Sequence, residues 1–163
     1  MKNKKTKRFV QITLLTALAA VLTMYPHFPT PTGYVHMGDS IIYIAAAFFG
    51  PLAGAVVGGV GHALADLLSG YPMYIPITFV VKALMGFVTA KMLYKKQFTA
   101  GRLVAAALIN LVIVTFGYFI PEIFMYGIGS AVSVFVSSPV QWLMSIAVSV
   151  ILFPAMSKAK KYL

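Results

Sequence analysis

Long apolar stretches separated by short polar breaks run along this chain of 163 residues. Most stretches approach the roughly 17 to 25 residues that an α-helix needs to cross a bilayer core. The breaks contain proline, glycine or clustered lysine, and proline ends helices because it lacks a backbone donor and restricts the residue before it. The pattern therefore predicts six helices, over about residues 9–25, 39–49, 52–68, 77–93, 103–120 and 128–153.

Proline and helix-capping residues give this pattern several local expectations. The second predicted helix begins at Asp39 or Ser40, and we expect Asp39 to act as its N-cap rather than as a ligand. This helix is short, at about 12 residues, so it tilts, borrows length from the preceding loop, or is shielded by its neighbours. The fifth helix is predicted to end before Pro121, and Pro139 predicts a kink or a broken turn in the sixth.

Composition places the chain among integral membrane proteins. Hydrophobic residues make up 60% of it and charged residues only 10%, which leaves too little polar surface for a soluble domain. We therefore predict an all-α integral membrane protein, a single domain over residues 1–163 that forms a six-transmembrane-helix bundle. The basic, apolar start imitates a secretory signal, but further spans follow it, so we predict a retained first helix.

The basic residues indicate how the chain crosses the membrane. Twelve of the 13 lysines and arginines lie in three clusters at the ends of apolar segments. With the N-terminus in the cytoplasm all three clusters face inward, and the three outer loops contain no basic residue, in agreement with the positive-inside rule. We predict cytoplasmic N- and C-termini in a multi-pass protein of the bacterial plasma membrane, and no nucleic-acid partner.

Several kinds of chemistry are not expected. The chain has no cysteine, which excludes disulfides and thiolate metal sites, and its three histidines lack a paired spacing such as HExxH, so we expect no metal. The segment Gly33–Ser40 fits a phosphate-binding loop except that Asp39 replaces the lysine, which opposes nucleotide binding. No nucleophile and base form a signature, so neither an enzyme nor a cofactor is predicted.

Polar side chains inside the apolar helices are the candidate functional residues, because a charge at the centre of a membrane helix costs roughly 2.5 to 3.5 kcal/mol. Asp66 and Lys82 would lie in the same outer layer, as a structural ion pair, as part of a ligand site, or with His62 as a proton relay. His62 is either a packed, hydrogen-bonded histidine or a ligand. Polar side chains of the later helices also converge on the outer half: Asn110, Glu122, Gln141 and Trp142.

The outer loops combine proline with aromatic residues. The loop that follows the first helix, PHFPTPTGYVHMG, is too rich in proline to span the membrane and forms either a lid over a pocket or a plain connector. The aromatic residues form an interfacial belt, or some of them stack on a flat ligand. These residues are Tyr71, Tyr74, Tyr118, Tyr126 and Trp142.

Small side chains on the first helix provide a surface for close helix packing. They recur at spacings of three and four residues, which lets another helix approach. That other helix belongs either to this chain or to a partner protein. The residues of this candidate partner interface are Thr13, Thr16, Ala17 and Ala20.

One long segment resembles a known family. It runs from Val35 to Phe87, with GD before the second helix, FGP at the inner turn, a glycine-rich third helix ending DLLSGY, and T..VK..MGF in the fourth. These features resemble the substrate-binding S component of energy-coupling factor (ECF) vitamin transporters, in particular the branch assigned to hydroxymethylpyrimidine or pyridoxine-type vitamins. The size and the six-helix plan agree with that family.

The resemblance implies partners and a site. It implies a vitamin bound on the outer side beneath the first loop, and docking on a transmembrane coupling subunit that carries two cytoplasmic ATPases. Members commonly dock through AxxxA on the first helix, where this chain has Thr13-xxx-Ala17 and Thr16-xxx-Ala20. The residues that we expect to contact the substrate are His36, Tyr74, Lys82, Asn110, Glu122, Gln141 and Trp142. Structural or coupling roles are expected for Asp39, His62 and Asp66.

The predicted function is therefore that of a non-enzymatic membrane subunit of an ATP-driven importer. It would capture a small water-soluble vitamin or precursor, similar to hydroxymethylpyrimidine or pyridoxine, from the outer side. The alternative is a self-sufficient, proton-coupled transporter that uses Asp66, His62 and Lys82. Uptake in cells that lack the ATPase subunits distinguishes the two, because only the alternative would persist there.

Overall fold

A computed structural model describes residues 2–97 and 99–159 of the chain, and the described part is mainly helical. Two short strands and one single-turn 3-10 helix, Pro72–Tyr74, interrupt the helices. The remaining elements are, in order, α1 Lys2–Met24, β1 His27–Pro29, β2 Tyr34–His36, α2 Asp39–Phe49, α3 Pro51–Leu68, α4 Ile75–Leu93, α5 Ala100–Tyr126, α6 Ile128–Ala131 and α7 Val134–Ala159.

Within the described residues, five helical segments are long and apolar enough to cross a membrane. The helix α2 has only 11 residues and falls short of that length. Nearly all of its residues are buried, so neighbouring helices surround it and supply the shielding that a short apolar helix requires. The structure thus gives five spanning candidates and one buried short helix where the sequence pattern predicts six spans.

Two predicted helix boundaries are wrong. The helix α5 continues through Pro121 and ends at Tyr126, and its C-cap residue Gly127 has a φ of +80°, which favours glycine. Proline costs a helix one backbone bond, and membrane helices tolerate this loss where neighbouring groups compensate. The last predicted helix, 128–153, is divided at residues 132–133 into α6 and α7. The division lies before Pro139, which sits inside α7.

Glycines allow α3 and α4 to pack with their backbones almost in contact. A Cβ on Gly54 would lie 2.6 Å from the carbonyl oxygen of Gly86, and one on Gly59 would lie 3.0 Å from that of Phe79. A Cβ on Gly58 would likewise clash with the backbone of Lys82. The glycine-rich stripe therefore holds Lys82 directly against α3.

The loop between α1 and α2 folds into a small antiparallel hairpin. Its strands pair Phe28 with Val35 and Pro29 with Tyr34. The sequence pattern predicts a stiff loop there but not the strand pairing, because each strand is only three residues long. The hairpin places Tyr34 and His36 over one end of the helix bundle, where both line a cavity.

The two ends of the bundle differ in charge. The basic segment at the start of α1 and the basic loop between α4 and α5 lie at one end, where the Arg8 guanidinium donates a hydrogen bond to the carbonyl oxygen of Phe49. The hairpin, the end of α3 and the start of α4 lie at the other end. Of the predicted basic tail, Lys160 and Lys161 lie outside the described residues.

Candidate functional site

A polar cavity lies beneath the hairpin, at the end of the bundle away from the basic segments. Its empty volume is about 580 Å³, counting the open mouth. It is bounded by the hairpin, the ends of α1, α3 and α5 and the starts of α4 and α7. The lining residues are Thr23, Thr30, Thr32, Gly33, Tyr34, His36, His62, Asp66, Tyr71, Tyr74, Thr78, Val114, Tyr118, Glu122, Val134, Ser137, Ser138 and Gln141.

Tyrosine hydroxyls connect the cavity carboxylates to the hairpin and to the start of α4. The Tyr34 hydroxyl donates to Asp66 Oδ1 at 2.7 Å. The Tyr74 hydroxyl lies 2.6 Å from the carbonyl oxygen of Thr32 and 3.1 Å from Glu122 Oε1. Burial, followed by the nearby Asp66 carboxylate, raises the pKa of the Tyr34 hydroxyl above its ordinary value. Tyr34 therefore stays protonated and remains a hydrogen-bond donor.

Both cavity carboxylates keep one buried oxygen without a good hydrogen bond. Asp66 is 5% exposed and Glu122 is 4% exposed. Among the described residues, Asp66 Oδ2 and Glu122 Oε2 make no hydrogen bond of acceptable geometry. A buried acceptor in this state costs free energy until a donor reaches it. A ligand with N–H or O–H groups can supply that donor.

A second polar layer lies below the cavity and is centred on Asp39. The Lys82 ammonium donates to Asp39 Oδ1 at 2.7 Å and to Oδ2 at 2.8 Å. Gln141 Nε2 donates to Oδ2 at 2.7 Å, and His62 Nε2 lies 3.2 Å from Oδ1. The four side chains come from α2, α3, α4 and α7, so this layer joins four helices through one carboxylate.

One sequence expectation about these charges is wrong, and the structure excludes the ion pair from the alternatives for Asp66 and Lys82. Asp39 is not the N-cap of α2, since Gly38 occupies that position and no side chain caps the helix. The Asp39 carboxylate turns inward to Lys82 instead, because a buried ammonium requires an anionic partner. The ion-pair partner of Lys82 is therefore Asp39 and not Asp66, which accepts from Tyr34.

Three ligand-type side chains also meet where the sequence spacing predicts no metal site. The ligand atoms of His36, Asp39 and His62 lie within 4.8 Å of one another, and all three residues are buried. However, the Lys82 ammonium contacts both oxygens of Asp39. Its positive charge at that distance opposes a divalent cation on the same carboxylate. The geometry thus favours an ion-pair layer over a metal centre.

The structure brings some of the expected substrate contacts together and separates others. His36, Tyr74, Glu122 and Gln141 line the cavity, whereas Lys82 lies behind it on Asp39. Two further expected contacts line a small separate void deeper in the bundle. These are Asn110, whose Nδ2 donates to Thr89 Oγ1 at 2.7 Å, and Trp142.

The cavity contains residues that the sequence analysis missed. Tyr34 and Thr32 belong to the hairpin, and Ser137 and Ser138 lie in the first two turns of α7. Their hydroxyls are common in loops and in membrane helices, so composition does not distinguish them. Of the tyrosines expected to form a belt or a stack, three line the cavity and one lies at the surface. Tyr71, Tyr74 and Tyr118 line the cavity, while Tyr126 is 45% exposed and stacks on Tyr74 at 6.3 Å between ring centroids.

The small residues of α1 border an apolar groove between α1 and α3. Thr13, Thr16 and Ala17 line it together with Leu52 and Val56 of α3. Ala20 does not line it and is only 4% exposed. The proposed surface is therefore shorter than the four-residue set that the sequence suggests.

Comparison with known proteins gives the chain a family. The family model for "ECF-type riboflavin transporter, S component" matches residues 3–161. The chain is 28% identical to the thiamine precursor transporter HmpT of Lactococcus lactis subsp. cremoris (strain MG1363) over 161 residues, which cover 97% of this chain and 92% of HmpT. It is also 36% identical over 123 residues to an uncharacterized protein of Pyrococcus woesei, covering 74% of this chain and 82% of that protein.

A solved structure has the same fold. The crystal structure of FolT bound with folic acid superposes with a TM-score of 0.65 at 18% sequence identity, and the match covers 86% of this chain and 90% of FolT. At this identity the likeness concerns the fold alone. Because the family model spans nearly the whole sequence, the chain belongs to the S-component family of ECF-type vitamin transporters.

Proposed function

We propose that this chain captures a small, water-soluble vitamin or vitamin precursor from outside the cell and delivers it through an ATP-driven importer. The observation that carries the proposal is the buried polar cavity beneath the hairpin, at the end opposite the basic segments. The similarity to HmpT, a thiamine precursor transporter, favours a hydroxymethylpyrimidine-like or pyridoxine-like ring. The substrate passes through unchanged, because the proposed role is binding and not catalysis.

The residues proposed to contact the substrate lie on the cavity wall. His36 and Tyr74 would border the ring from the hairpin and from the start of α4, and Glu122 and Gln141 would meet its polar edge. Tyrosine faces near the mouth suit a flat ring, since aromatic stacking contributes about 0.5 to 1.5 kcal/mol beyond area burial. Lys82 would act indirectly, by fixing Asp39 and through it Gln141.

The proposed orientation places the cavity outside and both termini in the cytoplasm of a bacterium. Basic loops are retained on the cytoplasmic side, and the basic loop between α4 and α5 lies at the end away from the hairpin. In this arrangement α2 completes six crossings as a short, shielded helix. The sequence lacks cysteine, so single cysteines report sidedness without background.

Cysteine labelling tests that orientation. Phe28→Cys places a thiol on the hairpin, where Phe28 is 52% exposed, and Lys95→Cys places one in the basic loop. In intact cells a membrane-impermeant maleimide is expected to label the first variant only, and after lysis both. Labelling of Lys95→Cys in intact cells would invert the proposed topology.

The proposed partners are a transmembrane coupling subunit and two cytoplasmic ATPase subunits. The chain has no phosphate-binding loop with its lysine, since Asp39 stands at that position, so ATP hydrolysis would occur on other polypeptides. The groove between α1 and α3 is the proposed docking surface for the coupling subunit. Apart from Arg8 at one end, its lining side chains are apolar or small, as helix packing in lipid requires.

Uptake by cells with and without the ATPase subunits tests the proposal directly. Radiolabelled hydroxymethylpyrimidine should enter cells that express this chain with the coupling and ATPase subunits, and should bind the purified chain alone. Removal of the ATPases should stop uptake and leave binding intact. Uptake that persists without them would instead identify a self-sufficient transporter.

A further inference from the structure

The charge of the cavity lining indicates which ligands it accepts. Among the described lining residues there are two carboxylates, Asp66 and Glu122, and no lysine or arginine. The nearest ammonium is that of Lys82, which lies in the layer below and donates its hydrogen bonds to Asp39. The cavity therefore presents anionic and hydroxyl groups to a ligand without a strong cation.

The imidazoles of the lining do not reverse this balance. His62 Nδ1 lies 2.9 Å from the carbonyl oxygen of Gly58, and its Nε2 faces Asp39 at 3.2 Å. His36 Nδ1 accepts a hydrogen bond from the backbone N–H of Gly38. Both rings are thus engaged with the protein along the lower edge of the cavity.

The two carboxylates stand on different elements, and both residues line the cavity. Asp66 is held near the end of α3 by Tyr34, and Glu122 near the end of α5 by Tyr74. One buried oxygen of each makes no hydrogen bond of good geometry among the described residues, although the Thr78 and Thr32 side chains approach Asp66 and Glu122. Hydrogen bonds to charged acceptors are the stronger kind, so donor groups of a ligand would gain most at these two positions.

We propose that the cavity selects an uncharged or cationic nitrogen heterocycle with amino or hydroxyl donors, and that it rejects ligands carrying a phosphate or carboxylate group. This inference rests on the proposed function and specifies its substrate class. An amino group on the ring or a protonated ring nitrogen would meet Glu122 or Asp66, and the tyrosines would border the ring. Rejection follows because an anion would lie beside two buried carboxylates with no cation to offset the repulsion.

This selection distinguishes close relatives of one vitamin. Hydroxymethylpyrimidine and pyridoxine satisfy the rule, whereas their phosphate esters and folic acid violate it. The phosphate esters differ from the alcohols mainly at one group. Comparing each ester with its alcohol therefore tests the effect of charge while the ring stays the same. Folic acid keeps an aminated ring but adds carboxylates, and it extends the test to a larger anion.

Calorimetric titration of the purified full-length chain tests the selection. Hydroxymethylpyrimidine is expected to bind at least about tenfold more tightly than its monophosphate, because the phosphate would lie beside two buried carboxylates with no cation to offset the repulsion. Equal or tighter binding of the monophosphate, or tight binding of folic acid, would overturn the charge rule and leave vitamin capture standing. If the chain binds none of these compounds, the proposed function itself is refuted.

Isosteric variants assign the selection to the carboxylates. Glu122→Gln and Asp66→Asn each keep shape and remove charge, and each should weaken hydroxymethylpyrimidine binding about tenfold while weakening the monophosphate less. Ser149→Ala serves as the control, since Ser149 is buried on α7 away from the cavity and donates to the Ser145 carbonyl oxygen. If both carboxylate variants fold and bind hydroxymethylpyrimidine as tightly as the parent, the proposal fails.

Discussion

The carboxylates in the two buried polar layers differ in how completely their oxygens are hydrogen-bonded. In the lower layer, both oxygens of Asp39 receive donors from Lys82 or Gln141, while His62 Nε2 lies 3.2 Å from Oδ1 without a hydrogen bond of good geometry. In the upper layer, Asp66 and Glu122 each retain a buried oxygen without a good donor. A buried carboxylate whose oxygens all have donors stabilises the fold. One that retains an oxygen without a donor can gain a hydrogen bond from a ligand. Variants in the two layers should therefore affect different measurements.

The largest expected effect is that of Lys82→Met on stability. It removes the ammonium but leaves the Asp39 carboxylate buried, a change that typically costs about 3 to 5 kcal/mol. Thermal unfolding of the detergent-purified chain should show a large drop in melting temperature. Lys91→Met is the control on the same helix, because Lys91 is exposed and its ammonium lies 5.2 Å from the Phe87 ring centroid.

The double variant Asp39→Asn/Lys82→Met separates lost charge pairing from lost packing. It removes the uncompensated carboxylate charge, so its melting temperature should lie between those of Lys82→Met and the parent. A melting temperature of Lys82→Met equal to that of Lys91→Met would show that the lower layer contributes no stability. The contrast between the layers would then disappear.

Tyr34→Phe should affect ligand affinity more than stability, in contrast to Lys82→Met. It removes the hydroxyl that donates to Asp66 and connects the hairpin to α3, and it leaves ring packing in place. Without this contact the hairpin wall of the cavity and Asp66 are no longer held together, so we expect ligand affinity to fall about tenfold. The ligand-free melting temperature should fall by less than that of Lys82→Met, since the hydroxyl is only partly buried. A stability loss as large as that of Lys82→Met would place Tyr34 with the lower layer.

The pH dependence of the Tyr34 contact follows from its raised pKa. Burial and the Asp66 carboxylate hold the proton on Tyr34 in the folded state beyond its ordinary pKa of 10.0. The contribution of this hydrogen bond is fully present below that value and is lost as the pH rises through the raised pKa. Between pH 7 and 9, the affinity ratio of the parent to Tyr34→Phe should therefore stay constant in titrations. A ratio that falls across this range would mean that the hydroxyl already loses its proton there.

The positions of most helices could be predicted from the sequence, because they depend on long apolar runs and not on individual contacts. Runs of apolar residues and flanking prolines indicated most helix positions, and the start of α2 at Asp39 lies where the pattern places it. The extent of α5 was not accessible, because the tolerance of a membrane helix for Pro121 depends on its neighbours. The division at residues 132–133 lacks any proline and has no local signal.

The residues of the cavity could be predicted from the sequence only in part. Buried polar residues in apolar helices pointed to Glu122 and Gln141, since each is expensive without a partner. The pairing of charges was not accessible, because Asp39 and Lys82 lie 43 positions apart and meet only through the packing of α2 and α4 around the glycines of α3. Tyr34 was missed because a hydroxyl in a loop carries no burial signal until the hairpin folds over α3.

The smallest expected effect on either layer is that of Ala17→Phe. Ala17 is exposed on α1 and lines the groove beside α3, about 9 Å along the helix from the cavity residue Thr23. Exposed substitutions usually change stability by less than about 0.5 kcal/mol, so melting temperature and ligand affinity should match the parent. Uptake should nevertheless fall to the level of cells without the ATPase subunits, since the bulky ring would separate the coupling subunit from α1.

A matched variant separates a loss of docking from a general effect of a bulky side chain on the lipid-facing surface of the protein. Ala105→Phe adds the same ring at an exposed position of α5, outside the groove, and uptake should remain normal. Ala20 is unsuitable for this test because it is only 4% exposed, and a larger side chain there would disturb the bundle itself. Normal uptake by Ala17→Phe would exclude the groove as the docking surface while leaving the contrast between the two polar layers intact.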